Sequence, residues 1–131
     1  MKNIILKEES YNIIGACINV HKLLRCGFLE AVYQEALEHE LKLCKIPFDR
    51  EKQLRIKYRD IISTKYYIAD FICYDKIILE LKALPEITDD HTAQIINYLK
   101  TTNMELGIII NFGKKSLDYK RIPNKVYSIN S

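Results

Sequence analysis

Tyr66-Tyr67-Ile68-Ala69-Asp70-Phe71-Ile72-Cys73-Tyr74-Asp75-Lys76-Ile77-Ile78-Leu79-Glu80-Leu81-Lys82 reads as a strand, a tight turn and a second strand. Its strand residues are almost all apolar, β-branched or aromatic, as buried strands are. Asp70, Glu80 and Lys82 break that pattern. An ionised group in a buried strand is costly unless something compensates it. What compensates these three decides how the chain is read.

Glu80 and Lys82 are two residues apart on a strand and project from one face. Asp70 joins them only in one hairpin register. A three-residue loop, Tyr74-Asp75-Lys76, sets Cys73 opposite Ile77 and Asp70 opposite Glu80. A two-residue loop at Asp75-Lys76 would send Asp70 and Glu80 to opposite faces. In the first register the two Cβ atoms lie about 5 Å apart. Two carboxylates that close, in apolar surroundings, do not both ionise readily without a cation. A divalent ion that favours oxygen, Mg²⁺ or Mn²⁺, is the natural partner. Ala69, Phe71, Cys73, Ile77, Leu79 and Leu81 then form the core face, and Ile68, Ile72 and Ile78 flank the charges. The same trio also reads as a structural ion pair on a solvated sheet face, so the pattern needs support from elsewhere.

The chain has 131 residues, 48% of them apolar, which suits one domain with one ordinary core. Its net charge of +3 permits a nucleic-acid partner without arguing for one. Cys17, Cys26, Cys44 and Cys73 are spread singly, with no zinc or iron–sulfur spacing, and are expected as buried thiols in a reducing cytoplasm. The amino terminus turns acidic too soon for a signal peptide. No apolar run approaches the roughly 18–20 residues of a membrane span. The expectation is a cytoplasmic protein with no membrane association.

Ser10 is the expected cap of a first helix from about Tyr11 to Leu24, on which Ile13, Ile14, Ala16, Cys17, Ile18, Val20, Leu23 and Leu24 make one broad buried face, ended at Gly27. A second helix from about Leu29 to Cys44 carries the stripe Glu30, Tyr33, Gln34, Leu37, Leu41 and Cys44, which puts an acid on its inward side. From about Asp49 to Tyr58 the residues alternate as in a half-exposed strand with a basic outer face. Arg59-Asp60 is a turn, and the Tyr66–Lys82 hairpin follows. Thr88 or Asp89 caps a third helix to about Thr102, on which His91, Gln94 and Tyr98 share a polar shoulder. Leu106 to Phe112 is an apolar strand covered on both faces, and Leu117 to Ile122 is a last short one. The order α-α-β-β-β-α-β-β predicts an α+β fold, a mixed sheet flanked by helices, with a right-handed crossover around the third helix.

Gly27-Phe28-Leu29-Glu30-Ala31-Val32-Tyr33 resembles the Gly-x-x-Glu-x-x-Tyr signature of the GxxExxY family, which is assigned to the PD-(D/E)XK nuclease superfamily. The likeness continues through Ile46-Pro47-Phe48, Ala69-Asp70-Phe71, Glu80-Leu81-Lys82-Ala83, His91-Thr92-Ala93-Gln94, Asn97-Tyr98-Leu99 and Asn111-Phe112-Gly113, over about residues 10–122. Arg25-Cys26 departs from the family's usual Gly-Pro. The resemblance implies a restriction-endonuclease-like core and a Mg²⁺- or Mn²⁺-dependent nuclease acting on DNA. It makes Asp70 and Glu80 metal-binding acids, Lys82 the lysine beside the attacking water, Glu30 the helix acid completing the metal shell, and Gln94 a supporting polar residue. The backbone carbonyl of Leu81 is a further expected metal ligand. Tyr33, His21 and His91 fit the family pattern, and Tyr98 belongs to the polar shoulder. Lys52, Arg55, Lys57, Arg59, Lys114, Lys115, Lys120 and Arg121 are a diffuse candidate set for phosphate contacts. A domain of this size often needs a homodimer or protein partner to grip a duplex. The contrasting reading is a binding module for nucleic acid or protein that keeps the fold without catalysis.

Overall fold

A computed structural model describes residues 4–128. The elements are α1 (Lys7–Leu24), α2 (Glu30–Leu43), β1 (Phe48–Tyr58), β2 (Ile61–Cys73), β3 (Ile77–Lys82), α3 (Asp89–Thr102), β4 (Leu106–Asn111), β5 (Asp118–Pro123) and a single turn, α4 (Lys125–Ser128). This is the expected order with α4 added. The sheet has five strands in the order β1-β2-β3-β4-β5. All neighbours are antiparallel except β3 and β4, which run parallel across the α3 crossover.

Two apolar layers hold the sheet. On one face Ile13, Cys17, Val20, Tyr33, Leu37 and Leu41 of α1 and α2 cover Phe71, Leu79, Leu81, Ile108 and Ile110. On the other, Ile95 and Leu99 of α3 cover Leu54, Tyr67, Ala69, Ile72, Ile78 and Ile109. β4 is buried along its whole length, as its unbroken apolar run requires. Gly107 lets α3 approach β4 closely, since a Cβ there would lie 2.4 Å from Cγ2 of Ile95.

Several local expectations are corrected. Ser10 does not cap α1: the helix starts earlier, and the Ser10 hydroxyl bonds back to the Leu6 carbonyl at 2.9 Å. Ile18 and Leu23, expected on the buried face of α1, are exposed. Cys17 and Cys73 are buried, but Cys26 and Cys44 are exposed. Ala69 does not share a layer with Phe71. It packs with Tyr67 against α3, while Phe71 and Cys73 pack against α1 and α2. The alternation of β2 shifts by one at Asp70, opposite Glu51, where the β1–β2 ladder is interrupted and Glu51 takes a φ of 54°. No helix among the described residues is long and apolar enough to cross a membrane.

Candidate active site

The β2–β3 ladder pairs Cys73 with Ile77, Ile72 with Ile78 and Phe71 with Leu79, then stops. This is the register of the three-residue loop, with Tyr74 and Asp75 both at positive φ. The next pair would be Asp70 and Glu80. Instead of continuing the ladder, their side chains enter the seam. Asp70 Oδ2 accepts the Leu81 backbone N–H at 2.8 Å, and Glu80 Oε1 accepts the Asp70 backbone N–H at 3.3 Å. Glu80 Oε1 also accepts the O–H of Tyr67. The two carboxylates thus sit side by side where two strands part.

Both acids are only partly exposed. Burial, then the neighbouring Asp70 charge, pushes the Glu80 carboxyl up to about 7. Burial also raises Asp70, against the lowering effects of the Leu81 N–H and the Lys82 charge. Lys82 is half-buried and forms no ion pair within 4.0 Å among the described residues, although its charge favours ionisation of both acids. Its amine is therefore uncommitted beside the pair.

Tyr67 is the residue that sequence reasoning missed. It is buried, donates to Glu80, and stacks on Tyr98 with ring centroids 3.7 Å apart. Strict alternation puts Tyr67 on the face away from Asp70, and only the one-residue shift at Asp70 brings its hydroxyl to the acid. Tyr98 thus reaches the site indirectly, by packing the ring that holds Glu80.

The α2 side is organised differently. Tyr33 is fully buried, donates to the Arg25 carbonyl at 2.6 Å, accepts the Phe28 N–H at 3.2 Å and stacks on Phe112 at 4.5 Å. His21 Nε2 meets the Lys114 carbonyl at 2.9 Å. Gly27 turns the loop at φ 119°. Tyr33 and His21 therefore brace the α1–α2 loop and the loop after β4. Glu30, the first residue of α2, is exposed rather than inward, with no side-chain hydrogen bond or ion pair among the described residues. No group of three or more acids, histidines or cysteines arranged to hold a metal ion occurs among the described residues. The structure joins Asp70 to Glu80 and does not bring Glu30 to them.

On α3, His91 Nδ1 accepts the Thr88 backbone N–H at 3.0 Å, so His91 caps its own helix. Gln94 is exposed. At the end of β4, Asn111 clamps the segment after Lys82: its Oδ1 accepts the Leu84 N–H and its Nδ2 donates to the Leu84 carbonyl, each at 2.9 Å. Gly113 is required there, because a Cβ would lie 2.3 Å from the Leu84 carbonyl oxygen.

The family model described as the PD-(D/E)XK nuclease superfamily matches residues 7–122. No curated protein matches this chain. Among solved structures, one titled "Crystal structure of SSO0001" aligns with a TM-score of 0.57 at 20% identity, covering 72% of this chain and 49% of that one. The chain thus spans about half the length of that structure, and the likeness is one of fold.

Proposed function

The chain belongs to the PD-(D/E)XK nuclease superfamily, and from that premise we propose that it hydrolyses DNA phosphodiester bonds with Mg²⁺ or Mn²⁺ held by Asp70 and Glu80. Within the superfamily we assign it to the GxxExxY family on Gly27, Glu30 and Tyr33. The observation that carries the reading is the parted β2–β3 seam. Two partly buried carboxylates are adjacent there, both raised above their ordinary values, beside a lysine with no ion-pair partner among the described residues.

That donor set fits a small hard cation. Mg²⁺ commonly takes one or two carboxylates and leaves its other positions to water and phosphate oxygens. The Leu81 carbonyl is a third oxygen ligand in this reading, since the Leu81 N–H already faces Asp70. Glu30 would act only through water. When bound, the ion polarises the phosphate and lowers the pKa of a coordinated water. Lys82 orients the attacking water and offsets developing phosphoryl charge. Tyr67 and Tyr98 hold Glu80 in place, and Gln94 supports water or phosphate from α3. The four cysteines are free, in keeping with a reducing, cytoplasmic setting. We also propose a homodimer or protein partner for the grip on a duplex.

The absence of a third acid at the pair, among the described residues, favours one rival: a nucleic-acid- or protein-binding module without catalysis. Two measurements separate the readings. Purified protein is incubated with Mg²⁺ or Mn²⁺ and single-stranded, duplex or branched DNA, beside an Asp70→Ala/Glu80→Ala variant. Equal cleavage by both would mean contamination. In parallel, Mn²⁺ should raise the melting temperature, by the equivalent of about 2.7 kcal/mol at a hundredfold excess over Kd, and Glu80→Gln should abolish that rise. No rise in the unaltered protein supports the binding module.

A further inference from the structure

Beyond Leu54 and Tyr67 only Ile56 of the β1–β2 hairpin still packs against an apolar layer. Every residue from Arg55 to Tyr66 is exposed except the half-buried Ile56 and Ser63. The ribbon is closed by the Tyr58↔Ile61 pair, and its register shifts between Arg55 and Lys57. It carries Arg55, Lys57, Arg59 and Lys65 against Asp60 alone, a net +3 that equals the formal charge of the whole chain. Outside the ribbon the molecule is formally neutral.

None of those four cations forms an ion pair among the described residues. Some of the basic groups elsewhere do have partners. Lys52 meets Asp49, Lys114 meets Glu86, Lys120 donates to Thr92, and Arg121 donates to Ser10 and Ile5. Interleaved with the ribbon's charges are large apolar groups with no cover: Tyr58 is 63% exposed, Ile61 62%, Ile62 63% and Tyr66 45%. The Arg55 guanidinium lies 5.8 Å from the centre of the Tyr66 ring and that of Arg59 5.6 Å from the Tyr58 ring.

We propose that this ribbon is a nucleic-acid-gripping arm whose occupant is DNA with unstacked bases, a single strand or the single-stranded side of a junction. The inference rests on the nuclease reading for its choice of DNA. The cations meet phosphates, and the tyrosines and isoleucines pack on base faces, the combination that single-strand binding uses. A blunt duplex presents mainly phosphates to such a ribbon and leaves Tyr58, Ile61 and Ile62 uncovered. A second copy of the chain fits worse, because two arms would bring +3 against +3. β2 joins arm and site in one strand, so a DNA strand lying on the arm is led toward Asp70.

The test is fluorescence anisotropy of the full chain with an oligothymidine and with a blunt duplex, in chelator, so that neither metal nor cleavage contributes. The unaltered protein should bind the oligothymidine more tightly. Arg55→Ala/Lys57→Ala/Arg59→Ala/Lys65→Ala should weaken binding at least tenfold and lower the slope of log affinity against log salt by about 3, at roughly 0.7 per charge. Tyr58→Ala/Tyr66→Ala should weaken binding about tenfold with the slope kept. Both variants alter exposed positions, and their melting temperatures and Mn²⁺-induced rises should match the unaltered protein. Unchanged affinity in both variants, or a blunt duplex bound as tightly as oligothymidine, overturns the arm. So does a dimer that the variants dissociate while DNA affinity stays intact. Arm-dependent DNA binding without any Mn²⁺ effect or cleavage keeps the arm and sinks the nuclease reading. Cleavage with arm-independent affinity does the reverse.

Discussion

Glu80 is held where its proton leaves only at about 7, whereas the unfolded chain releases it near 4.5. Between those values the folded state binds more protons, so the metal-free protein should lose stability as pH rises through that window and level off above it. Asp70 is shifted the same way and adds to the slope. Urea denaturation from pH 4 to 8 should show a shallower decline in Glu80→Gln, and an equal slope in both proteins would mean that Glu80 is not held near its neutral form. Tyr67→Phe removes a hydroxyl donor from a partly buried carboxylate. It should cost about 1.5–3 kcal/mol at pH 8, where Glu80 is ionised, and less at pH 5. Asp70, Glu80 and Lys82 stood out in the sequence because charge is conspicuous in an apolar strand. Tyr67 did not, because a tyrosine in a buried strand is ordinary and its face depends on a shift that no alternation pattern reveals.

Helix and strand existence was legible because periodicity reports which face is apolar, and each layer here has a clear one. Ends were less so. Ser10 resembles a cap, yet α1 gains a further turn from Lys7, with Ile5 and Leu6 packed on the core. Glu30 lies on the stripe of α2 by number but at its first position, where a stripe residue need not be covered. Where the motif residues serve the elements rather than the chemistry, substitution should show it. Gly113→Ala forces a Cβ against the Leu84 backbone and should cost about 1–3 kcal/mol. Faster hydrogen exchange at Leu84 should accompany it, because the Asn111 clamp would be displaced. Normal exchange at Leu84 in a destabilised variant would put the strain elsewhere.

Across the whole molecule, the candidate site joins β2 to β3 at the point where their ladder fails, between the α1–α2 layer and the α3 layer. An ion shared by Asp70 and Glu80 would replace missing ladder bonds, so Mn²⁺ should slow exchange in both strands and raise the melting temperature more at pH 8 than at pH 6. Equal rises at the two pH values would place the ion on other ligands. By itself the sequence determined the element order and the mixed α+β sheet, because periodicity and alternation are local properties, and it narrowed the hairpin to two registers, between which the structure chose. It also marked the three charges. The tertiary structure alone decided that Asp70 interrupts two ladders, that Tyr67 reaches Glu80, that Glu30 stays in solvent, and that the ribbon carrying a net +3 is left exposed. Each of these depends on which segments lie side by side, and a face shift of a single residue in β2 is enough to change the answer.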